Sequence, residues 1–234
     1  PAPPILTSIK INNKFVDVVV NPTKRANTLI LDRVSGEPIF SYRFSRAPVS
    51  KIRGEKTSVY QPDLNIPTPF GKNVFKESDF WSYDENLLVE IKKKYKDYNY
   101  GFFETHRLGK KNLQYNQSGG AEWMGASVDH TKQIMYVTSN NIPYETEVEI
   151  DNEDSLIPTY TSFHERALDK NGFPISKPPW GTITAMDLNS GSIIWQIPFG
   201  EYKELSSIGI DVTGTENFGG VTGTEGNVLF ASGT

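Results

Sequence analysis

From Thr182 to Met186 small or polar residues alternate with apolar ones, Asp187-Leu188-Asn189-Ser190-Gly191 is a turn cluster, and Ile193, Ile194 and Trp195 are β-branched or aromatic. That order of alternation, turn and apolar run predicts a β-hairpin. The same frame stands earlier in the chain. Thr28-Leu29-Ile30-Leu31 leads to Asp32, with Gly36 four residues on and Phe40 eight residues on, as Gly191 and Trp195 follow Asp187. The aspartate can cap the turn and the glycine can take its positive φ. The aromatic residue is expected to close the neighbouring strand over the core.

A second hairpin type is interleaved with the first. Residues 125–138 align without a gap on residues 219–232, each with small residues leading into a strand, a polar turn, and an apolar strand ending at Thr138 or Ser232. The alternation of two hairpin types predicts an all-β fold of four-stranded sheets repeated radially, a β-propeller in which two hairpins make one blade. Close backbone packing near a central channel would account for Gly119-Gly120-Ala121 and Gly219-Gly220 ahead of the second type. Two unrelated hairpins in a β-sandwich are the alternative. By the repeat order another hairpin should follow Thr234, so residues 1–234 read as a single partial propeller domain of a longer chain, cut inside a blade.

Between the repeats the pattern is less regular. Residues 9–12 and 15–21 predict strands joined at Asn12-Asn13-Lys14, with Val16, Val18 and Val20 on one face and Asp17 and Val19 on the other. The loop that follows carries Lys24 and Arg25 at a strand end, where the default for such a pair is solvent. Residues 45–75, punctuated by Pro48, Pro62, Pro67 and Pro69, predict a long irregular segment. One helical excursion is expected within about residues 78–100. Ser82 to Glu85 has capping-box spacing, Leu87, Leu88, Ile91 and Tyr95 form an apolar stripe, and Gly101 is a suitable stop. Lys92-Lys93-Lys94 suits a solvated helix C-terminus better than an anion site. Residues 102–115 continue as loop or short strand. Trp123 is either core filling or an aromatic floor for a flat ligand, with the neighbouring glycines leaving room on its face. Residues 140–179 form another excursion, acidic from Glu145 to Asp154; the spacing fits no EF-hand, and no metal is assigned there.

Composition narrows the function classes. A net charge of −4 and a pI near 5.5 give no basic footprint for nucleic acid. The absence of cysteine excludes disulfides and thiolate metal sites. No apolar run approaches the ~20 residues of a membrane-spanning helix.

Several motifs together resemble the quinoprotein dehydrogenases that use pyrroloquinoline quinone, in particular the branch of membrane-bound glucose and quinate dehydrogenases. They are Thr23-Lys24-Arg25-Ala26-Asn27 leading to Leu31-Asp32-Arg33; Gly36-Glu37-Pro38; Gly54-Glu55-Lys56-Thr57-Ser58 with Gln61-Pro62; Gly119-Gly120-Ala121-Glu122-Trp123; Pro178-Pro179-Trp180-Gly181 through Asp187 to Trp195; and Asn217-Phe218-Gly219-Gly220 with Gly226 to Phe230. The likeness covers nearly the whole chain. It implies part of an eight-bladed propeller, its C-terminal portion, with the quinone across the central channel. A sugar, polyol or alcohol hydroxyl would be oxidised by hydride transfer to the quinone, and electrons would pass to ubiquinone or a cytochrome.

By the same resemblance Lys24 matches the lysine that contacts the quinone, where a cation polarises a carbonyl as an oxyanion develops. Trp123 falls near the cofactor ring, and Asn217 where a polar side chain could reach it. Glu122 departs from the asparagine more often found there, and a carboxylate beside an anionic quinone must be protonated, paired or turned away. The catalytic aspartate and the calcium ligands belong to segments upstream, so no base and no metal ligand is assigned within this chain. His106, His130 and His164 match no catalytic or metal motif. Periplasmic location and any membrane association also follow from the family alone. A non-catalytic propeller serving as an interaction scaffold is the alternative. It gives Lys24, Trp123 and Asn217 no reason to converge.

Overall fold

The computed structural model describes residues 2–152 and 157–233, so Glu153 and Asp154 of the acidic run lie outside the described residues. Strands β1 (Ile5–Ile11), β2 (Lys14–Pro22) and β3 (Thr28–Asp32) pair antiparallel in that order, and a bridge from Leu31 to Pro38 adds the trace of a fourth strand. Asn12 and Asn13 both take positive φ, 49° and 64°, the paired left-handed geometry whose twist suits a two-residue hairpin. Val18 and Val20 are buried and Asp17 is exposed, as the alternation requires.

Residues 45–75 are less irregular than their prolines suggest. Strands β4 (Arg43–Arg46) and β5 (Tyr60–Asp63) form a two-stranded sheet, with Arg43 and Ser45 both bonded to Asp63 at 2.8 Å. Pro62 is tolerated within β5 because a two-stranded sheet leaves each strand an open edge for the missing N–H.

After a short 3-10 turn (Glu77–Asp79) comes helix α1 (Glu85–Tyr95). Its cap is Asp84, whose Oδ1 accepts from the Leu87 N–H at 2.8 Å, and not Ser82, which only bonds the Asp84 N–H ahead of the helix. Gly101 is not the stop either, since the helix ends at Tyr95. Leu87, Ile91 and Tyr95 bury against Phe75, Phe80, Leu113 and Ile175. Lys92, Lys93 and Lys94 are all exposed, as expected of a solvated helix end, and Lys94 adds a contact the sequence does not show. Its ammonium bonds Glu145 at 2.8 Å, and that carboxylate is only 4% exposed.

The remaining strands are β6 (Asn112–Tyr115), β7 (Ala126–Asp129), β8 (Ile134–Asn140), β9 (Pro143–Ile150), β10 (Tyr160–Arg166), β11 (Gly181–Asp187), β12 (Ser192–Pro198), β13 (Val221–Gly223) and β14 (Leu229–Ala231), with a short helix α2 (Lys203–Ser206) before β13. The two hairpin types meet in one four-stranded sheet ordered β12-β11-β8-β7, each pair antiparallel. Between β8 and β11 the chain leaves the blade, and β9 and β10 join β6 in a separate three-stranded sheet. β13 and β14 repeat the β7–β8 hairpin, and the Gly223 N–H bonds the Ser127 hydroxyl at 2.9 Å to hold the two side by side.

Both copies of the Asp-to-Gly turn form as the sequence predicts. Asp32 Oδ1 accepts from the Val34 and Ser35 N–H groups at 2.9 and 2.8 Å, Asp187 Oδ1 accepts from the Asn189 N–H at 2.9 Å, and Gly36 and Gly191 sit at φ 75° and 72°. The aromatic residue behaves differently in the two. Phe40 packs on the main core, whereas Trp195 stays 37% exposed on the edge strand, tilted over Tyr136. The main core lies between the two sheets, where Ile9, Val18, Val20 and Ile30 of one face Met135, Val137, Met186 and Leu188 of the other. This is face-to-face packing of inner sheet surfaces. No helix among the described residues is long and apolar enough to cross a membrane.

Candidate functional site

Three loops converge at one end of the sheets, and backbone hydrogen bonds tie them in series. The Gly120 N–H donates to Lys24 O at 2.7 Å, and the Asn140 N–H donates to Gly120 O at 3.1 Å. Asn140 then clasps residue 217 with its side chain, its Oδ1 accepting from the Asn217 N–H at 2.7 Å and its Nδ2 donating to Asn217 O at 2.9 Å. The glycines make this possible. A Cβ on Gly120 would stand 2.5 Å from Ala26 Cβ, and one on Gly219 would fall 1.7 Å from Ser232 O. The glycines ahead of the second hairpin type are thus positions of close backbone approach.

Asn217 is buried, and its Oδ1 is committed to the Gly219 N–H at 2.6 Å. Its Nδ2 has no protein partner. An unpaired buried amide donor is a rarity that asks for an acceptor from elsewhere. Lys24 is exposed and Trp123 is 67% exposed, so both present their side chains to open space beside these loops. Lys24, Trp123 and Asn217 thus sit on three loops that the Gly120 and Asn140 contacts bring to the same end.

Glu122 lies among them. Its Oε1 is buried without a partner, and burial pushes its carboxyl above the ordinary value, while the Trp123 N–H and the Lys24 charge pull the other way. The shift is in the direction that lessens repulsion of a nearby anion, and the Lys24 charge beside it acts to the same end. Glu216 belongs to a separate network. It accepts from Tyr144 at 2.9 Å and Ser118 at 3.0 Å through Oε1, and from Arg166 Nε at 2.6 Å through Oε2, which fixes the segment leading to Asn217.

Arg25 is where sequence reading falls short. The expectation was a solvated loop cation, yet its guanidinium carbon lies 3.9 Å from the centre of the Phe103 ring and Nη2 donates to Asn73 O at 3.2 Å. Burial lowers its pKa. The only sequence signal was its place beside Lys24; Phe103 is 78 positions away and carries no motif. The histidines take local roles: His106 bonds Thr146 at 2.9 Å, His130 bonds Thr7 at 2.8 Å, and His164 tilts on Tyr144. Among the described residues no group of three or more carboxylate or histidine side chains gathers where it could hold a metal.

The described residues form antiparallel sheets with few helices. The chain matches the family described as PQQ: Glucose/ethanol/alcohol dehydrogenase, beta-propeller domain, over residues 1–234, and it belongs to that family. It is 26% identical to the quinate/shikimate dehydrogenase (quinone) of Acinetobacter baylyi, over 92% of this chain and 30% of the relative. It is 28% identical to the glycerol dehydrogenase large subunit of Gluconobacter oxydans, over 92% and 34%, and 25% identical to quinoprotein glucose dehydrogenase A of Acinetobacter calcoaceticus, over 100% and 32%. The chain therefore spans about a third of the length of these relatives. In fold it is similar to the quinohemoprotein alcohol dehydrogenase of Comamonas testosteroni, with a TM-score of 0.50 at 17% identity over 98% of this chain and 27% of that one.

Proposed function

We propose that this chain contributes one side of the cofactor site of a quinone-dependent dehydrogenase that oxidises the hydroxyl of a sugar, polyol or alcohol. The observation that carries the reading is the Asn217 Nδ2, buried and unpartnered on a loop fixed beside those of Lys24 and Trp123. Pyrroloquinoline quinone fits these residues, because it offers acceptor oxygens and a flat ring to a free amide donor, an ammonium and an open indole face. When bound, it supplies the carbonyl that takes up two electrons from the substrate.

Lys24 would hold its positive charge toward that carbonyl, where negative charge develops. Asn217 would orient the cofactor through its free N–H, and Trp123 would offer a surface for stacking. Glu122 lies beside the Lys24 charge, and that ammonium would offset its repulsion of an anion. The base that removes the substrate proton, and the calcium ligands expected of the family, are proposed to lie in parts of the protein other than this chain. The complete domain is proposed to have eight blades, with residues 1–234 as its C-terminal portion, a periplasmic location, and ubiquinone or a cytochrome as electron acceptor.

The test is titration of the full-length protein with pyrroloquinoline quinone and calcium, wild type beside Lys24→Ala, followed by a dye-linked assay on glucose, quinate and ethanol. Quinone binding and turnover that fall sharply in the variant support the reading. A folded protein that binds no quinone overturns it and leaves the scaffold alternative.

A further inference from the structure

Arg25 and Phe103 build a small polar pocket next to the proposed cofactor site. A cavity of 140 Å³ opens between the loop of residue 25 and the excursion that carries α1, and Arg25, Asn73, Phe103, Glu104, Asn112 and Gln114 line it. That is room for a small planar anionic group. The guanidinium carbon lies 3.9 Å from the centre of the Phe103 ring, and among the described residues the group makes one hydrogen bond, to the Asn73 backbone carbonyl. Stacking covers one face of an arginine fork and leaves its in-plane donors available. No carboxylate among the described residues pairs with Arg25, and Glu104, the one that lines the cavity, is taken by Arg107 at 2.9 Å.

A cation withdrawn from water without a counter-charge is unfavourable, and it persists where a ligand supplies that charge. Phe103 holds its position at φ 49°, a conformation that disfavours a bulky residue and that recurs at binding sites. Lys24 and Arg25 are consecutive, so their backbones are about 3.8 Å apart. Lys24 is exposed to solvent, and Arg25 lines this pocket. A hydroxy acid could then place its carbinol toward Lys24 and its carboxylate on Arg25.

We propose that the Arg25 pocket takes the carboxylate of the substrate, which makes the substrate class a hydroxylated carboxylic acid and not a neutral sugar or polyol. This rests on the dehydrogenase reading above. Arginine pairs with carboxylate through two parallel N–H bonds in one plane, and lysine cannot reproduce that fork.

The experiment is calorimetric titration of the quinone-free full-length protein with quinate, glycerol and inorganic phosphate, for wild type, Arg25→Lys and Arg25→Gln, with melting temperatures and quinone affinities measured alongside. Wild type is expected to bind quinate more tightly than glycerol. The ratio of the two affinities should fall about tenfold in Arg25→Lys and further in Arg25→Gln, the scale of one lost charge-assisted bond. In the reconstituted enzyme the kcat/KM ratio of quinate to glycerol should fall in parallel. Equal weakening of both ligands overturns the proposal, as does a loss confined to quinone affinity, which would assign the pocket to the cofactor. Phosphate binding that depends on Arg25 while quinate binding does not overturns it as well. So does a drop in melting temperature with quinate affinity unchanged, which would make Arg25 a strut. If wild type binds no quinone, the dehydrogenase reading itself fails; if it binds quinone but oxidises only neutral substrates, this inference alone fails.

Discussion

Asn140 holds Asn217 by both ends of its amide, accepting from the Asn217 N–H at 2.7 Å and donating to the Asn217 carbonyl at 2.9 Å. Asn140 ends strand β8, so the position of a loop residue 77 places later is set by the sheet. Asn140→Ala leaves two buried backbone groups unpaired and is expected to lower stability by about 2–4 kcal/mol. Asn140→Asp keeps the acceptor but sets a buried carboxylate oxygen against the Asn217 carbonyl, and should cost at least as much. Chemical denaturation measures both, and quinone affinity should fall in the same order.

Gly120→Ala is expected to destabilise by about 1–3 kcal/mol, because its Cβ would meet Ala26 Cβ at 2.5 Å between two backbones that are bonded to each other. Gly36→Ala has open space around its Cβ and only the positive φ to contend with, so its effect should be smaller, roughly 1 kcal/mol. Melting curves of the two variants decide whether close approach or backbone conformation dominates.

Glu145 makes acid stability measurable. Burial works against its ionised form, but hydrogen bonds from Lys94, Tyr95 and Tyr98, with the Lys94 charge, hold its carboxyl below the ordinary value of 4.5. A carboxyl depressed in the folded state contributes stability that is complete above its unfolded pKa and is lost as pH falls through the folded one. Wild type should lose this contribution progressively below pH 4.5, and Glu145→Gln should lack that part of the acid dependence. The substitution is expected to lower stability by about 2–3 kcal/mol at pH 7. Denaturant midpoints across pH 2–7 would check both.

Glu122 has the opposite sign. Its folded pKa is raised, so the folded state binds the proton more tightly than the unfolded chain, and stability falls as pH climbs from the ordinary carboxylate value through the raised one. Glu122→Gln should remove that fall, giving a higher melting temperature than wild type at pH 7 and a smaller difference at pH 3. Lys24→Ala takes away an opposing charge and should raise the Glu122 pKa further, which a carboxyl-detected titration reads directly.

The blade was legible because its information is local. A capping aspartate, a glycine four residues later and alternating apolar positions each act within one hairpin, so aligned copies predict hairpins paired into four-stranded sheets, and the structure supplies the order β12-β11-β8-β7. The cap of α1 was misplaced by two residues because Ser82 and Asp84 are both good acceptors, and only the structure shows which one meets the first free N–H. Nothing near Arg25 in sequence marks it as other than solvated, and nothing near Lys94 shows its carboxylate; their partners, Phe103 and Glu145, arrive from other excursions. The convergence of the Lys24, Trp123 and Asn217 loops could be anticipated only through resemblance, since Gly120 and Asn140, which tie them, carry no chemistry of their own.

Asn140 and Gly181 are paired neighbours across β8 and β11, although forty residues lie between them along the chain. Whatever is threaded between them leaves and rejoins the blade at the same rung. The rungs of the sheet thus close without help from the intervening length, which is anchored instead by Tyr144 and Arg166 on Glu216, at the foot of the segment that carries Asn217.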